Sequence, residues 1–131
     1  MNLRLIFTGV CPARRRQADI LMRASETILS ERLYLNSALR CRDVARAIGT
    51  NRTYLWEALS QRGMGFRDYL AKFRVRHFIL NAASYGGMQL EEIAELCGFN
   101  GHRQLGRYLK SMFGVTVAEY MKIASREGSA T

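Results

Sequence analysis

The sequence predicts an all-α chain of two helix-turn-helix subdomains joined by a long linker helix. Three observations predict it. No stretch alternates apolar and polar residues with the period of two that a half-buried strand needs, whereas apolar residues recur three and four apart. The second is internal repetition. Val44-Ala45-x-x-Ile48-Gly49 returns as Ile93-Ala94-x-x-Cys97-Gly98, Leu55 and Leu59 return as Leu105 and Leu109, and Gly63-x-x-Phe66-x-x-Tyr69 returns as Gly114-x-x-Val117-x-x-Tyr120. The second copy takes one extra residue in the turn and one near the helix end. The third is where the small residues fall. A helix-turn-helix packs one short helix across another at a steep angle. Ala45 and Ala94 suit the close crossing, and Gly49 and Gly98 suit a turn that needs positive φ.

Residues 1 to about 20 show no clear period and read as a disordered N-terminal arm or the tail of something longer. Residues 20–33 place Ile20, Leu21, Ala24, Ile28, Leu29 and Leu33 near helical spacing, and Tyr34-Leu35-Asn36-Ser37 breaks the pattern. A short helix follows from about Arg42 to Ile48, poorly capped because Arg40 stands where Ser or Thr is preferred. Gly49 ends it, and Asn51 is a good N-cap for a helix from about Arg52 to Gln61. Gly63-Met64-Gly65 breaks the chain again. From Phe66, the residues Tyr69, Leu70, Phe73 and Leu80 mark one long helix, ending before Gly86-Gly87. Two more helices are expected from about Leu90 to Cys97 and from about His102 to Met112, with Gly98-Phe99-Asn100-Gly101 between them. Thr116 caps a last short helix carrying Tyr120. The folded domain is placed at 21–124: a first unit at about 25–65, a linker helix at about 66–84, a second unit at about 88–123, and a frayed tail at 125–131.

Composition bounds the function. Of 131 residues, 20 are basic and 11 acidic, giving a formal net charge of +9 that favours a polyanionic partner. Arginine dominates the positive charge and suits bidentate contacts to phosphate and guanine. At 48% hydrophobic residues, the chain can build a core. No run is long and apolar enough for a membrane helix, and the short apolar start, MNLRLIFTGVC, lacks a cleavage signal, so a cytoplasmic protein is expected. Cys11, Cys41 and Cys97 have no zinc-like spacing with one another or with His77 and His102. The repeat aligns Cys41 with Leu90 and Cys97 with Ile48, which are apolar positions. No glycine-rich phosphate loop follows a strand, and no Ser/His/Asp set would meet, so neither an enzyme nor a cofactor is expected.

If Leu55, Leu59, Leu105 and Leu109 face inward, the residues between them face out. These are Arg52, Thr53, Trp56 and Glu57 in the first unit, and His102, Arg103, Gln104, Gly106 and Arg107 in the second. The second helix of such a unit enters the major groove with its N-terminal residues at the base edges. Candidate DNA-binding residues are therefore Arg52, Thr53, Trp56, Glu57, His102, Arg103, Gln104 and Arg107. Arg14-Arg15-Arg16 reads as a solvated tail, with an arm touching phosphate as the alternative; Arg74 and Arg76 read as structural or solvent-facing residues, and His77 as an interior histidine. Glu91, Glu92 and Glu95 read as a solvated acidic edge.

The stretch IAELCGFNGHRQLGRYLKSMFGVTVAEY resembles the DNA-binding domain of the AraC family of bacterial transcription regulators. Ile93, Ala94, Gly98, Phe99, Arg107, Lys110, Gly114, Val115, Thr116 and Tyr120 fit the family pattern, and DVARAIGTNRTYLWEAL with GMGFRDYLAKFRVRHFIL fits its first unit. The resemblance covers about residues 25 to 123. It implies a rigid linker helix, and recognition helices that meet one face of double-stranded DNA in successive major grooves. The domain alone is expected to be a monomer. Departures are specific. Leucine replaces the family's usual phenylalanine at Leu59, Leu105 and Leu109; Val117 stands for proline and Met121 for arginine. Glu57 stands where arginine is common, and Trp56 is bulky for a base-reading position. Those two residues keep a second reading open, in which the fold pairs with a regulator or RNA polymerase instead of DNA.

Overall fold

The computed structural model describes the backbone of residues 12–129 and the side chains as far as 126. Seven α-helices occur among the described residues: α1 (Pro12–Ser30), α2 (Cys41–Ala47), α3 (Arg52–Ser60), α4 (Phe66–Asn81), α5 (Leu90–Leu96), α6 (His102–Phe113) and α7 (Val117–Ser129). Single 3-10 turns cover Leu33–Leu35 and Ala82–Tyr85. The chain divides into two compact units. Unit 1 takes α1 to α3 and the start of α4 as far as Tyr69; unit 2 takes Tyr34–Ala38 and everything from Leu70 onward.

In unit 1, α1 packs on both α2 and α3, and α2 packs on α3. The apolar stripe of α1 supplies Ile20, Leu21, Ala24 and Ile28, which meet a core containing Val44, Ala45, Ile48, Leu55, Ala58 and Leu59. Leu55 and Leu59 are fully buried, and burial of each contributes about 1.5–3 kcal/mol. Expectation and structure part at the N-terminus. Residues 12–20 are helical where an arm was expected over 1–20: the helix is present from Pro12, just over two turns ahead of its apolar stripe. Residues 1–11 of that expected arm, with Cys11, lie outside the described residues. Leu29 is 40% exposed and lies off the buried stripe.

Helix ends follow local chemistry. At α2 the guanidinium of Arg40 has no acceptor to offer, so it cannot cap. The Asp43 carboxylate supplies the other half of a capping box, accepting from the Arg40 backbone N–H at 2.9 Å. Asn51 caps α3 through its side-chain oxygen, which accepts from the Tyr54 backbone N–H at 2.9 Å. Thr116 caps α7 the same way, its hydroxyl oxygen accepting from the Glu119 N–H at 3.1 Å. Helix α7 continues to Ser129, so the backbone of 125–129 is helical where a frayed tail was expected.

Unit 2 has its own core. Ala71, Val75 and Phe78 of α4 join Ile93, Ala94, Cys97, Phe99, Leu105, Leu109, Val117 and Ala124. Leu80, expected on the apolar side of α4, is instead 64% exposed. The inward stripe runs through Leu70, Arg74, Val75 and Phe78, with Arg74 the one charged residue described as buried. Its Nε donates to the Tyr34 carbonyl at 2.8 Å and its Nη2 to the Asn36 carbonyl at 3.0 Å. Desolvation holds its pKa below the usual arginine value. The side chain thus straps residues 34–36 onto α4. His77 joins the same strap, its Nδ1 lying 3.0 Å from the Tyr34 hydroxyl.

Candidate nucleic-acid interface

Each unit contains a short helix, a glycine turn and a second helix. In unit 1 these are α2, Gly49 and α3; in unit 2 they are α5, Gly98 and α6. Ala45 is 1% exposed and Ala94 fully buried, which lets the paired helices cross closely. Both turn glycines have positive φ, +76° for Gly49 and +94° for Gly98, where a Cβ is costly. At Gly98 the surroundings forbid one as well. A Cβ there would stand 2.2 Å from the Tyr34 carbonyl oxygen, 3.0 Å from Leu35 Cα and 3.1 Å from Arg74 Nε.

The second helices present the candidate residues. On α3, Leu55, Ala58 and Leu59 point into the core. Arg52, Thr53 and Trp56 are exposed, Trp56 to 54%, and Glu57 is half-buried. On α6, Leu105 and Leu109 are fully buried, while His102, Arg103 and Arg107 are exposed and Gln104 is half-buried. The Arg107 guanidinium lies 5.6 Å from the centre of the Tyr108 ring, a cation–π distance that steadies it beside the helix. Tyr108 in turn stacks on Phe99 with ring centres 6.0 Å apart. Alternation of leucine and polar residues thus splits each helix into a core side and a polar side, and the polar side of α6 is basic.

Two residues depart from the sequence reading. Glu91 is not a free solvated acid. Its carboxylate binds the His102 ring at Nδ1 and accepts from the His102 backbone N–H at 3.4 Å. Hydrogen bonding from the His102 side chain is the main reason its pKa lies below the usual glutamate value. The acid sits at the start of α6, where the helix dipole favours negative charge, and it does the capping that Gly101 cannot. The repeat did not reveal this, because Arg42, the residue of unit 1 that aligns with Glu91, is basic. The second departure is at Arg16. Its guanidinium lies 4.6 Å from the centre of the Tyr54 ring on α3, so this arginine is docked and does not belong to a solvated tail.

The described cysteines are both free and buried, Cys41 at α2 and Cys97 after α5. Burial pushes the Cys97 thiol up to about 11, and the Cys41 thiol is raised for the same reason. Both therefore stay protonated and unreactive at neutral pH. Among the described residues no His, Cys, Asp and Glu side chains gather into a metal site. None of the described helices is long and apolar enough to cross a membrane.

Duplicated units of this geometry define a helix-turn-helix protein. The chain matches the helix-turn-helix domain family over residues 44–123 and belongs to it, and the AraC-type pattern read in the sequence is the pattern of this match. It is a DNA-binding transcription regulator by family. Two solved structures share its fold. One is the C-terminal domain of the two-component response regulator yesN from Fusobacterium nucleatum, 24% identical, covering 75% of this chain and 97% of that one with a TM-score of 0.60. The other is the C-terminal domain of AraT, a response regulator from Geobacillus stearothermophilus, 23% identical, covering 86% of each chain with a TM-score of 0.58. No curated protein matches the chain.

Proposed function

We propose that the protein is a sequence-specific, double-stranded DNA-binding regulator that reads one asymmetric site as a monomer, with α3 and α6 as its recognition helices. The observation that carries this reading is the polar side of α6. Arg103 and Arg107 are exposed on the side opposite the fully buried Leu105 and Leu109, while the exposed His102 ring is engaged by Glu91, so packing leaves the two arginines open to meet bases. Arg103 and Arg107 stand four apart, one turn of helix, and each offers a planar donor pair suited to guanine O6 and N7. On α3, Arg52 and Thr53 hold the corresponding N-terminal positions. Docked in successive major grooves, the two helices would read half-sites about one helical turn apart, and no palindrome is needed. A chromosomal partner places the protein in the cytoplasm of a bacterium.

Enrichment of bound duplexes from a random library, followed by titration of the winning site and of random duplex at several salt concentrations, tests the proposal. The expected result is one enriched asymmetric motif and an affinity that falls steeply with salt. Arg103→Ala should then weaken binding to that site by about 1–3 kcal/mol and relax selectivity at one or two base pairs. Salt-sensitive binding with no enriched motif would leave a basic protein without base readout.

A second reading rests on Trp56 and Glu57, a large exposed aromatic ring and an acid on α3. In it unit 1 meets a protein, such as another regulator or RNA polymerase, and α6 binds DNA alone. Glu57→Arg separates the two. Where α3 lies in a groove, the substitution raises affinity for random duplex and steepens the salt slope by up to about one counterion. Where α3 meets a protein, both stay at their wild-type values.

A further inference from the structure

Resting on the DNA-binding reading above, we propose that the N-terminal turns of α1 form a phosphate clamp beside α3, with Arg16 as its centre and Arg15 as its second contact. The juxtaposition that carries this is Arg16 on Tyr54. Helix α1 packs against α3, and Arg16 stands four residues before the buried Ile20, one turn beyond the end of the core stripe. Its guanidinium therefore emerges at the edge of the core and settles 4.6 Å from the centre of the Tyr54 ring. Tyr54 lies in the first turn of α3, about 100° around the helix from Thr53, on the flank of the polar side.

That flank is where a DNA strand would run. A helix with its side chains is about 10–12 Å wide and the major groove about 12 Å, so a helix seated in the groove has a phosphate backbone along each side. An arginine drawn to a ring by cation–π attraction, and in no ion pair among the described residues, still has N–H groups to donate, since the guanidinium carries five. Those donors match two phosphate oxygens. Among the described residues no acid forms an ion pair with this charge. The first turn of α1 contains no acidic residue, and Asp19, the next acid along the helix, pairs with Arg23 at 3.6 Å. Arg14, Arg15 and Arg16 are all exposed, and no ion pair to an acid is found for them among the described residues. A clamp of this kind carries no base preference. It sets the position of α3 along the backbone, and unit 1 would hold DNA through it although Glu57 stands where a basic contact is usual.

The test compares wild type, the double variant Arg15→Ala/Arg16→Ala, and Tyr54→Phe, each titrated against the enriched site and against random duplex from low to high salt. The double variant should reduce the salt slope by about two, at about 0.9 per phosphate contact. It should lose affinity for both duplexes by a similar factor and keep the wild-type melting temperature. Tyr54→Phe retains the ring and should keep the wild-type slope. A double variant with the wild-type slope overturns the clamp while leaving the DNA-binding reading intact. Loss of affinity for the enriched site with none for random duplex overturns it too, since a phosphate contact acts on any sequence. Wild-type protein that fails to bind either duplex overturns both.

Discussion

The turn of unit 1 and the turn of unit 2 share a glycine with the same backbone conformation, yet the space around the two differs. Among the described residues a methyl group above Gly49 would meet only the Arg23 guanidinium, at 3.8 Å, on a side chain that is about half exposed and donates to the Ile48 carbonyl. Above Gly98 lie the backbone of Tyr34 and Leu35, held down by the buried Arg74. One glycine serves backbone conformation alone. The other serves conformation and the close approach of a second segment of chain. Duplication therefore kept the turn and changed what rests on it, and the two copies should respond to the same substitution very differently.

The largest expected effect breaks or confirms that contrast. Gly98→Ala adds the cost of a left-handed alanine, about 1–2 kcal/mol, to displacement of the Tyr34 carbonyl from Arg74, a charged hydrogen bond of about 1.5–3 kcal/mol. Urea unfolding should show a loss of about 3 kcal/mol or more. Gly49→Ala carries the backbone cost alone and should lose about 1–2 kcal/mol. Equal losses would mean that residues 34–36 do not press on Gly98.

The two arginines sharpen the comparison at the next level. Arg74→Met keeps the apolar length of the side chain but leaves the Tyr34 and Asn36 carbonyls without their donor, so stability should fall by about 2 kcal/mol. Arg23→Met removes a partly solvated contact and should cost less than about 1 kcal/mol. Chemical denaturation of the pair decides whether the strap on unit 2 matters more than the arginine beside the turn of unit 1.

Much of this was legible in the sequence. Spacing of Leu55, Leu59, Leu105 and Leu109 fixed which side of each second helix is buried, and Asn51 and Thr116 announced their helix starts, because capping and periodicity are local. Gly49 and Gly98 could be read as positive-φ positions for the same reason. Contacts between distant segments were not legible. Nothing near Gly98 in the chain says that Tyr34 lies over it, and nothing near Arg16 says that Tyr54 lies under it. The start of α1 was missed because its first two turns carry arginines and no apolar period, their packing being supplied by an aromatic ring on another helix. Glu91 was misread because its partner, His102, is eleven residues away and comes close only when α5 and α6 cross.

A smaller contrast follows from the helix starts. Asn51 caps α3 without charge, whereas Glu91 serves α6 with a carboxylate whose pKa is lowered by His102. A lowered folded-state pKa stabilises the fold above the ordinary glutamate value, and that contribution is lost as pH falls through the folded value. Glu91→Gln should therefore melt below wild type at neutral pH and converge with it as the solution is acidified past the glutamate range. Parallel melting curves across that window would mean that Glu91 titrates as a free acid.

In the proposed function both units dock on one duplex, α6 through base contacts and α3 with help from the arginines of α1. Hydroxyl-radical footprinting of the wild-type protein on its enriched site tests it most directly. Two protected windows about one helical turn apart are expected, one of which fades in Arg103→Ala and the other in Arg15→Ala/Arg16→Ala. A single window, lost in Arg103→Ala and untouched by the α1 double variant, would contradict it.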